Sequence, residues 1–292
     1  MNQSKNLNLK LMNFFTFRPD MMSLCGLIRI FSVKNAPTLS MTATATEEDL
    51  KEMKECLGLK DDQVVVLRAS PVQDHVKFQT LRRPPNGNGF EGEFLSTGSF
   101  RPGLCHLLNT LYLERFISDI KNGQKPKKAM IFFRTETQLM DTYEYLLDQL
   151  PGFENKSSPF VMSHGAVGEA TDKNIIERKN DISLFLTTTK MLMGVDLTDI
   201  QVVIFVRPMN HLQHILQGAG RAGRKQVSGK RQKVLVYILY NSQDLGGNVP
   251  GLMDSVREFC TTQKCLKMLL GEHFDGKPFV TSNVNWCCGN CD

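Results

Sequence analysis

Among its 292 residues the chain has no apolar run approaching the roughly 18 residues that cross a bilayer. The best candidate, MMSLCGLIRIF, is short and carries Arg29. The lysine-bearing N-terminus lacks an apolar core followed by a small-residue cleavage site, so no secretory signal is read and an intracellular location is the default. Two signatures of triphosphate hydrolysis are also missing. No Gly-x-x-x-x-Gly-Lys ends in Ser or Thr, and no Asp-Glu pair occurs. The nearest approach, GEHFDGKP (Gly271 to Pro278), ends in a residue without the hydroxyl that ligates magnesium, and it follows CLKMLL, which reads as helix instead of strand. Neither sign of charge dominates: 35 Lys and Arg against 30 Asp and Glu leave +5, compatible with a polyanionic partner and equally with an ordinary intracellular protein.

What the chain does contain is strand alternating with helix. Short β-branched or aromatic runs, QVVVLRA, KKAMIFF, DISLFLTTT, QVVIFV and KVLVYIL, are each bounded by polar or turn residues, as buried strands are. Between them, Leu104, Leu107, Leu108 and Leu111 form an i, i+3, i+4, i+7 stripe, and ETQLMDTYEYLLDQL repeats the pattern before Pro151. A parallel α/β sheet flanked by helices follows. The stretch Arg82 to Gly103 is rich in Gly, Pro, Asn and Ser and reads as a linker. Upstream, Thr46 starts a helix with Glu48 and Asp49 in its first turn. After about residue 245 the strands give way to a helix-like tail. There is no internal repeat.

The eight cysteines are uneven: Cys25, Cys56 and Cys105 are scattered, while Cys260, Cys265, Cys287, Cys288 and Cys291 crowd the end. In an intracellular chain that clustering reads as metal binding sooner than as disulfides. Cys288 and Cys291 have the C-x-x-C spacing of a zinc knuckle.

The segment HLQHILQGAGRAGRK follows the apolar VVIFVRP. Continued as a helix it places Gln217, Arg221 and Arg224 on one face, where guanidinium forks can grip phosphate oxygens. Gly218, Gly220 and Gly223 each cost a helix about 1 kcal/mol, a penalty that calls for close packing or close approach of a ligand. QGAGRAGR resembles the sixth motif of superfamily 2 helicases, and specifically of the RecQ-like DNA helicases. Other segments agree in order: LSMTATAT (Leu39 to Thr46) resembles that family's third motif and FRPD (Phe17 to Asp20) the piece slightly upstream of it, AMIFFRT its fourth, SHG (Ser163 to Gly165) a loop between, and TTTKMLMGVDLTDIQVVIF its fifth. Two positions depart from the family pattern, with Leu192 where a glycine is usual and Gly218 where an acidic residue is usual.

The resemblance implies a RecA-like fold with residues 1–80 as the remnant of a first lobe, 81–103 a linker, 104–245 a second RecA-like lobe and 246–292 part of a helical zinc subdomain. It implies ATP with magnesium as cofactor, Arg224 as arginine finger with Arg221 and Gln217 bridging to the phosphates, and Gly194, Asp196, Thr42 and Thr44 toward the nucleotide. Ser163, His164 and Thr188 would face DNA, and Cys265, Cys288 and Cys291 would hold zinc with a fourth cysteine expected just beyond Asp292, or with Cys287 or Cys260 as a makeshift fourth. Free thiols are the alternative. The phosphate loop and acidic box lie, in the family, ahead of FRPD, so the expectation is an inactive fragment of an ATP-dependent, nuclear 3'-5' DNA helicase. A non-enzymatic module binding DNA or a partner, and an RNA-directed relative, are the competing expectations.

Overall fold

The computed structural model describes residues 39, 41–42, 44–84, 93–94, 100–101, 105–153, 158–165, 173, 175–189, 197, 199–227 and 229–292. They form two compact units, residues 1–71 with 273–276, and 72–272 with 277–292.

In the first unit, helix α1 (Glu47–Leu57) starts where the sequence places it. The Thr46 hydroxyl accepts from the Asp49 amide (3.1 Å) and the Asp49 carboxylate accepts from the Thr46 amide (2.8 Å), a reciprocal cap that satisfies two orphan donors. Gly58, at φ 69°, closes the other end. The following QVVVLRA is not the strand that its composition predicts. Asp61–Gln63 is a short 3-10 turn, residues 64–70 have no regular structure, and Val65 and Leu67 are 87% and 93% exposed. A strand exists only where a neighbour takes its backbone groups, and among the described residues none pairs with this run.

The second unit is built on a six-stranded sheet. Its strands are β1 (Val76–Arg82), β2 (Ala129–Phe132), β3 (Phe160–Ser163), β4 (Leu184–Thr187), β5 (Val202–Phe205) and β6 (Val234–Tyr240). Their spatial order is β1-β6-β5-β2-β4-β3, and every pairing is parallel. Strands β2, β4 and β5 are buried throughout, which is why KKAMIFF, DISLFLTTT and QVVIFV read as continuous apolar runs without alternation. The expected α/β sheet is therefore present. It gains β1, which falls across the boundary expected at residue 80 and belongs to this unit.

The helices cover the sheet. His106–Leu108 opens one of them, Asn109–Leu113 widens into a π-turn, and Glu114–Lys121 (α2) completes it. Leu108 is fully buried with Leu107 and Leu111 packed beside it, whereas Leu104 of the expected stripe lies outside the described residues. Helix α3 (Glu136–Gln149), capped by Thr135, buries Leu139, Tyr145 and Leu146 against the same core. Helix α4 (Leu212–Ala219) follows β5, and α5 (Asp254–Thr261) and α6 (Leu266–Asp275) form the tail. GEHFDGKP is helix through Asp275, so its phosphate-loop spacing is a coincidence, as its sequence context indicates. Among the described residues no helix is long and apolar enough to cross a membrane.

Candidate nucleotide-facing turn and metal centre

Helix α4 ends at Ala219, before either arginine of the glycine-rich motif. The amides of Arg221 and Ala222 bond back to Gly218 (3.1 Å) and Ala219 (3.0 Å), and the amide of Gly223 donates to the carbonyl of Ile200 (3.0 Å). The expectation of one shared helical face is corrected accordingly: Gln217 sits in the last helical turn, while Arg221 and Arg224 ride a tight turn beyond it. Gly223 is the reason. It stands at φ 67°, and a Cβ there would lie 2.6 Å from the His75 ring and 2.7 Å from Val234. Gly218 faces a second close approach, since its Cβ would come within 2.7 Å of Phe205, whose ring is stacked on Phe132 at 4.9 Å. Packing, and one left-handed backbone position, account for these two glycines.

Arg224 is exposed, its Nε donating to the carbonyl of Gly220 (3.2 Å), and Arg221 is half-buried. Beside them Lys225 pairs with Asp199 at 3.3 Å. Two planar, permanently charged groups held on a short rigid turn are suited to meeting a phosphate delivered from outside.

Ser163, His164 and Thr188 lie at the opposite edge of the sheet. Strands β3 and β4 end together there, the Thr187 hydroxyl and the Thr188 amide both donating to the Ser163 carbonyl (2.8 and 3.3 Å). The Ser163 side chain is buried, while His164 and Thr188 are half-buried and the His164 Nδ1 lies 3.1 Å from the Glu136 carboxylate. In the first unit the Thr44 amide meets the Thr42 hydroxyl at 3.5 Å, with Thr42 exposed. Gly194, Asp196 and Leu192 of the fifth motif, and FRPD, lie outside the described residues.

The tail gathers four thiols. The sulfurs of Cys265, Cys287, Cys288 and Cys291 lie within 4.8 Å of one another, with Cys265–Cys287 at 3.4 Å, Cys288–Cys291 at 3.5 Å and Cys265–Cys288 at 3.8 Å. Four sulfurs bound tetrahedrally to zinc at about 2.3 Å stand about 3.8 Å apart, so the set fits such an ion in number, chemistry and spacing. Cys287 is the fourth member, and the adjacent pair 287–288 does converge because Cys287 adopts φ −84°, ψ −86° between two 3-10 turns. Cys260 takes no part. It is buried in α5, where burial and the nearby Asp244 charge push its thiol up to about 12.

Two residues that the sequence reading passed over support this region. Lys267, with no exposed surface, donates from Nζ to the carbonyls of Asp74 (3.0 Å) and Trp286 (3.1 Å). Burial lowers its pKa, while the thiolates of Cys287, Cys265 and Cys288 and the Asp74 carboxylate act in the opposite direction. A buried ammonium needs nearby negative charge, and a tetrathiolate holding a divalent ion carries a net −2. His75, whose carbonyl accepts from the Trp286 indole (2.9 Å), presses its ring on Gly223, and burial with the charges of Arg231 and Lys267 lowers its pKa to about 4. No spacing rule picks out either residue, because each matters through what folds against it.

Residues 108–226 match the model of the helicase conserved C-terminal domain. Over 94% of its length the chain is also similar to ATP-dependent DNA helicase Q1 of Pongo abelii (24% identical over 285 residues) and to the Q1-type helicase sequence of Caenorhabditis briggsae (25% over 288 residues). These matches support a relationship to RecQ-like superfamily 2 helicases. The chain spans 40% of the length of the Caenorhabditis briggsae relative and 38% of the Pongo abelii one. Among solved structures it is similar to Saccharomyces cerevisiae Dbp5 bound to RNA and ADP BeF3 (TM-score 0.48, 13% identity, covering 80% of this chain and 52% of that one). It is also similar to the C-terminal part of the Fun30 ATPase domain (TM-score 0.36, 18% identity, 56% and 52%).

Proposed function

We propose that this chain supplies the second RecA-like lobe of an ATP-dependent DNA helicase acting 3' to 5' in the nucleus, with residues 1–71 contributing to a first lobe and the tail to a zinc subdomain. The observation that carries the reading is the arginine turn, with Arg221 half-buried and Arg224 exposed, held at the sheet edge by Gly223. Bound ATP with magnesium would supply the phosphoanhydride whose cleavage drives the cycle. The chain's own part is electrostatic: Arg224 would approach the charge developing on the transferred phosphoryl group, and Arg221 with Gln217 would hold the phosphates in line. Closure of two lobes brings that turn to the nucleotide, and reopening carries the strand held near His164 and Thr188. The four cysteines would hold zinc as a closed structural site, fixing the tail and doing no chemistry.

Neither a Gly-Lys-Ser/Thr loop nor an Asp-Glu pair is present in these 292 residues, so the remaining half of the nucleotide site must come from elsewhere. The 292-residue polypeptide by itself is therefore expected to bind single-stranded DNA without hydrolysing ATP. Joined to a phosphate-loop lobe of a relative, it should acquire DNA-stimulated ATPase, and Arg224→Ala should reduce that rate by about 10³-fold or more. An unchanged rate in the variant would remove the finger assignment.

A further inference from the structure

A cleft of about 410 Å³ opens on the second unit, lined by Lys125, Pro126, Lys127, Lys128, Asn180, Asp199, Gln201, Lys225 and Gln232. Its place follows from the all-parallel sheet. Lys128 precedes β2, Asn180 precedes β4, and Asp199 and Gln201 precede β5, so the cleft sits at the N-terminal edge of the strands. Ser163 and Thr188 mark the C-terminal edge, and the strands between are four residues long, about 13 Å at 3.3 Å per residue. The two edges cannot share one phosphate.

The lining has a charge surplus. Four lysines face one carboxylate, Asp199, which is already paired with Lys225 at 3.3 Å, so Lys125, Lys127 and Lys128 have no acidic partner in the lining. Lys128 is only 8% exposed and donates to the carbonyl of Lys179 (2.6 Å). Its pKa falls through burial foremost, with Lys125 and Lys179 adding to the fall and Asp199 and Asp181 opposing it. The buried Oε1 of Gln232 has no hydrogen-bond partner. Like charges gathered round a half-enclosed space are unfavourable until an anion enters. Among the described residues the lining carries no aromatic side chain on which a base can stack, and Pro126 is its one apolar residue. Such a cleft reads phosphate and leaves bases unread.

We propose that this lysine cleft is a second nucleic-acid contact, taking the phosphodiester backbone of a DNA strand at the sheet edge opposite Thr188. The choice of DNA rests on the helicase reading above; the preference for phosphate rests on the lining alone. Lys125 and Lys127 are exposed and supply the adjustable charges, and Lys128 fixes the wall between them and the sheet. A strand engaged here while another lies at the far edge would keep two DNA segments apart across the lobe.

The test is fluorescence anisotropy of a labelled single-stranded oligonucleotide binding to the 292-residue chain across a salt series. Lys125→Ala/Lys127→Ala should weaken binding about tenfold at moderate salt, equally for different sequences, and reduce the slope of log K against log salt by about 1.4, as loss of two single-strand phosphate contacts requires. The control Lys51→Ala/Lys121→Ala removes the same charge from exposed positions that do not line the cleft and should leave the slope unchanged. Equal effects of the two double variants, or no effect of the first, would overturn the cleft while leaving the DNA-directed reading in place. Failure of the unaltered chain to bind DNA at all would remove both. In a parallel arm, pyrophosphate and ATP are titrated as competitors. If they bind the unaltered chain and lose affinity in Lys125→Ala/Lys127→Ala while oligonucleotide binding does not change, the cleft takes free polyphosphate and the strand assignment is wrong.

Discussion

Gly218 and Gly223 separate two uses of glycine that the sequence merges. Gly218 has an ordinary backbone but no room, its Cβ meeting Phe205 at 2.7 Å, so Gly218→Ala overpacks a stacked aromatic pair and should cost about 1–3 kcal/mol. Gly223→Ala meets both obstacles, left-handed φ and the His75 ring, and should cost more. Gly229 provides the control: at φ 75° with nothing within 4 Å of its Cβ, Gly229→Ala should lose only about 1 kcal/mol. Urea midpoints at constant m-value would rank the three; a Gly223 variant no worse than the Gly229 one would refute the packing account. His75 adds a pH dependence. Its folded pKa of about 4 lies below the unfolded value of about 6.5, so the unfolded state binds the extra proton between them. Stability from this ring is complete above about pH 6.5 and is lost as pH falls toward 4, by about 1–2 kcal/mol once partial solvent access is discounted. His75→Phe should flatten that limb in thermal melts from pH 7 to 4. At this scale motif spacing singled out Arg221, Arg224, Cys265, Cys288 and Cys291, and offered Cys287 only as a makeshift fourth. The convergence of Cys287 was not legible, since it depends on one backbone conformation that no spacing specifies.

Helices and strands were legible where burial makes a pattern and illegible where tertiary contact supplies it. The runs ending in AMIFF, SLFLT and VVIF are apolar because both faces are covered, and all three are strands. VKFQTLR, with Lys77, Gln79 and Arg82, lacks that look, yet it is β1: the Lys77 ammonium lies over the Trp286 ring at 5.6 Å and Gly289 lies against Gln79, so the tail covers what would otherwise be a wet face. QVVVLRA has the better composition and is no strand, because propensity cannot replace a pairing partner. The join between α6 and β1 rests on Lys267, whose ammonium bridges the carbonyls of Asp74 and Trp286. Lys267→Met keeps the stem but strands two buried acceptors and should cost about 2–3 kcal/mol, with faster release of metal to a chelator. An unchanged melting temperature together with unchanged metal release would show that the bridge is incidental.

Across the second unit, the cluster of four cysteines is also the seam between tail and sheet. Cys288 forms a parallel bridge with Phe78 of β1, the Leu266 amide donates to the Cys288 sulfur (3.4 Å), and Trp286 bonds the His75 carbonyl next to the arginine turn. A divalent ion at the four sulfurs would therefore close a loop that includes β1, His75 and Gly223. Removing it leaves Cys287 and Cys291 as thiols that burial pushes upward in pKa, Cys291 to about 11, while hydrogen bonds hold Cys265 lower, so at neutral pH much of the negative charge near Lys267 is lost. The single tryptophan reports this directly, since Trp286 precedes Cys287 in sequence and lies under the Lys233 ammonium at 4.7 Å. Chelation of the zinc-loaded chain should red-shift and weaken its emission, lower the melting temperature by several degrees, and be reversed by stoichiometric zinc. Cys287→Ser should show the weakened state from the outset, whereas Cys260→Ser, outside the cluster, should respond to chelation like the unaltered chain. If Cys287→Ser instead retains one zinc per chain with unaltered tryptophan emission, the fourth ligand is not Cys287 and the seam is held by the protein's own contacts alone.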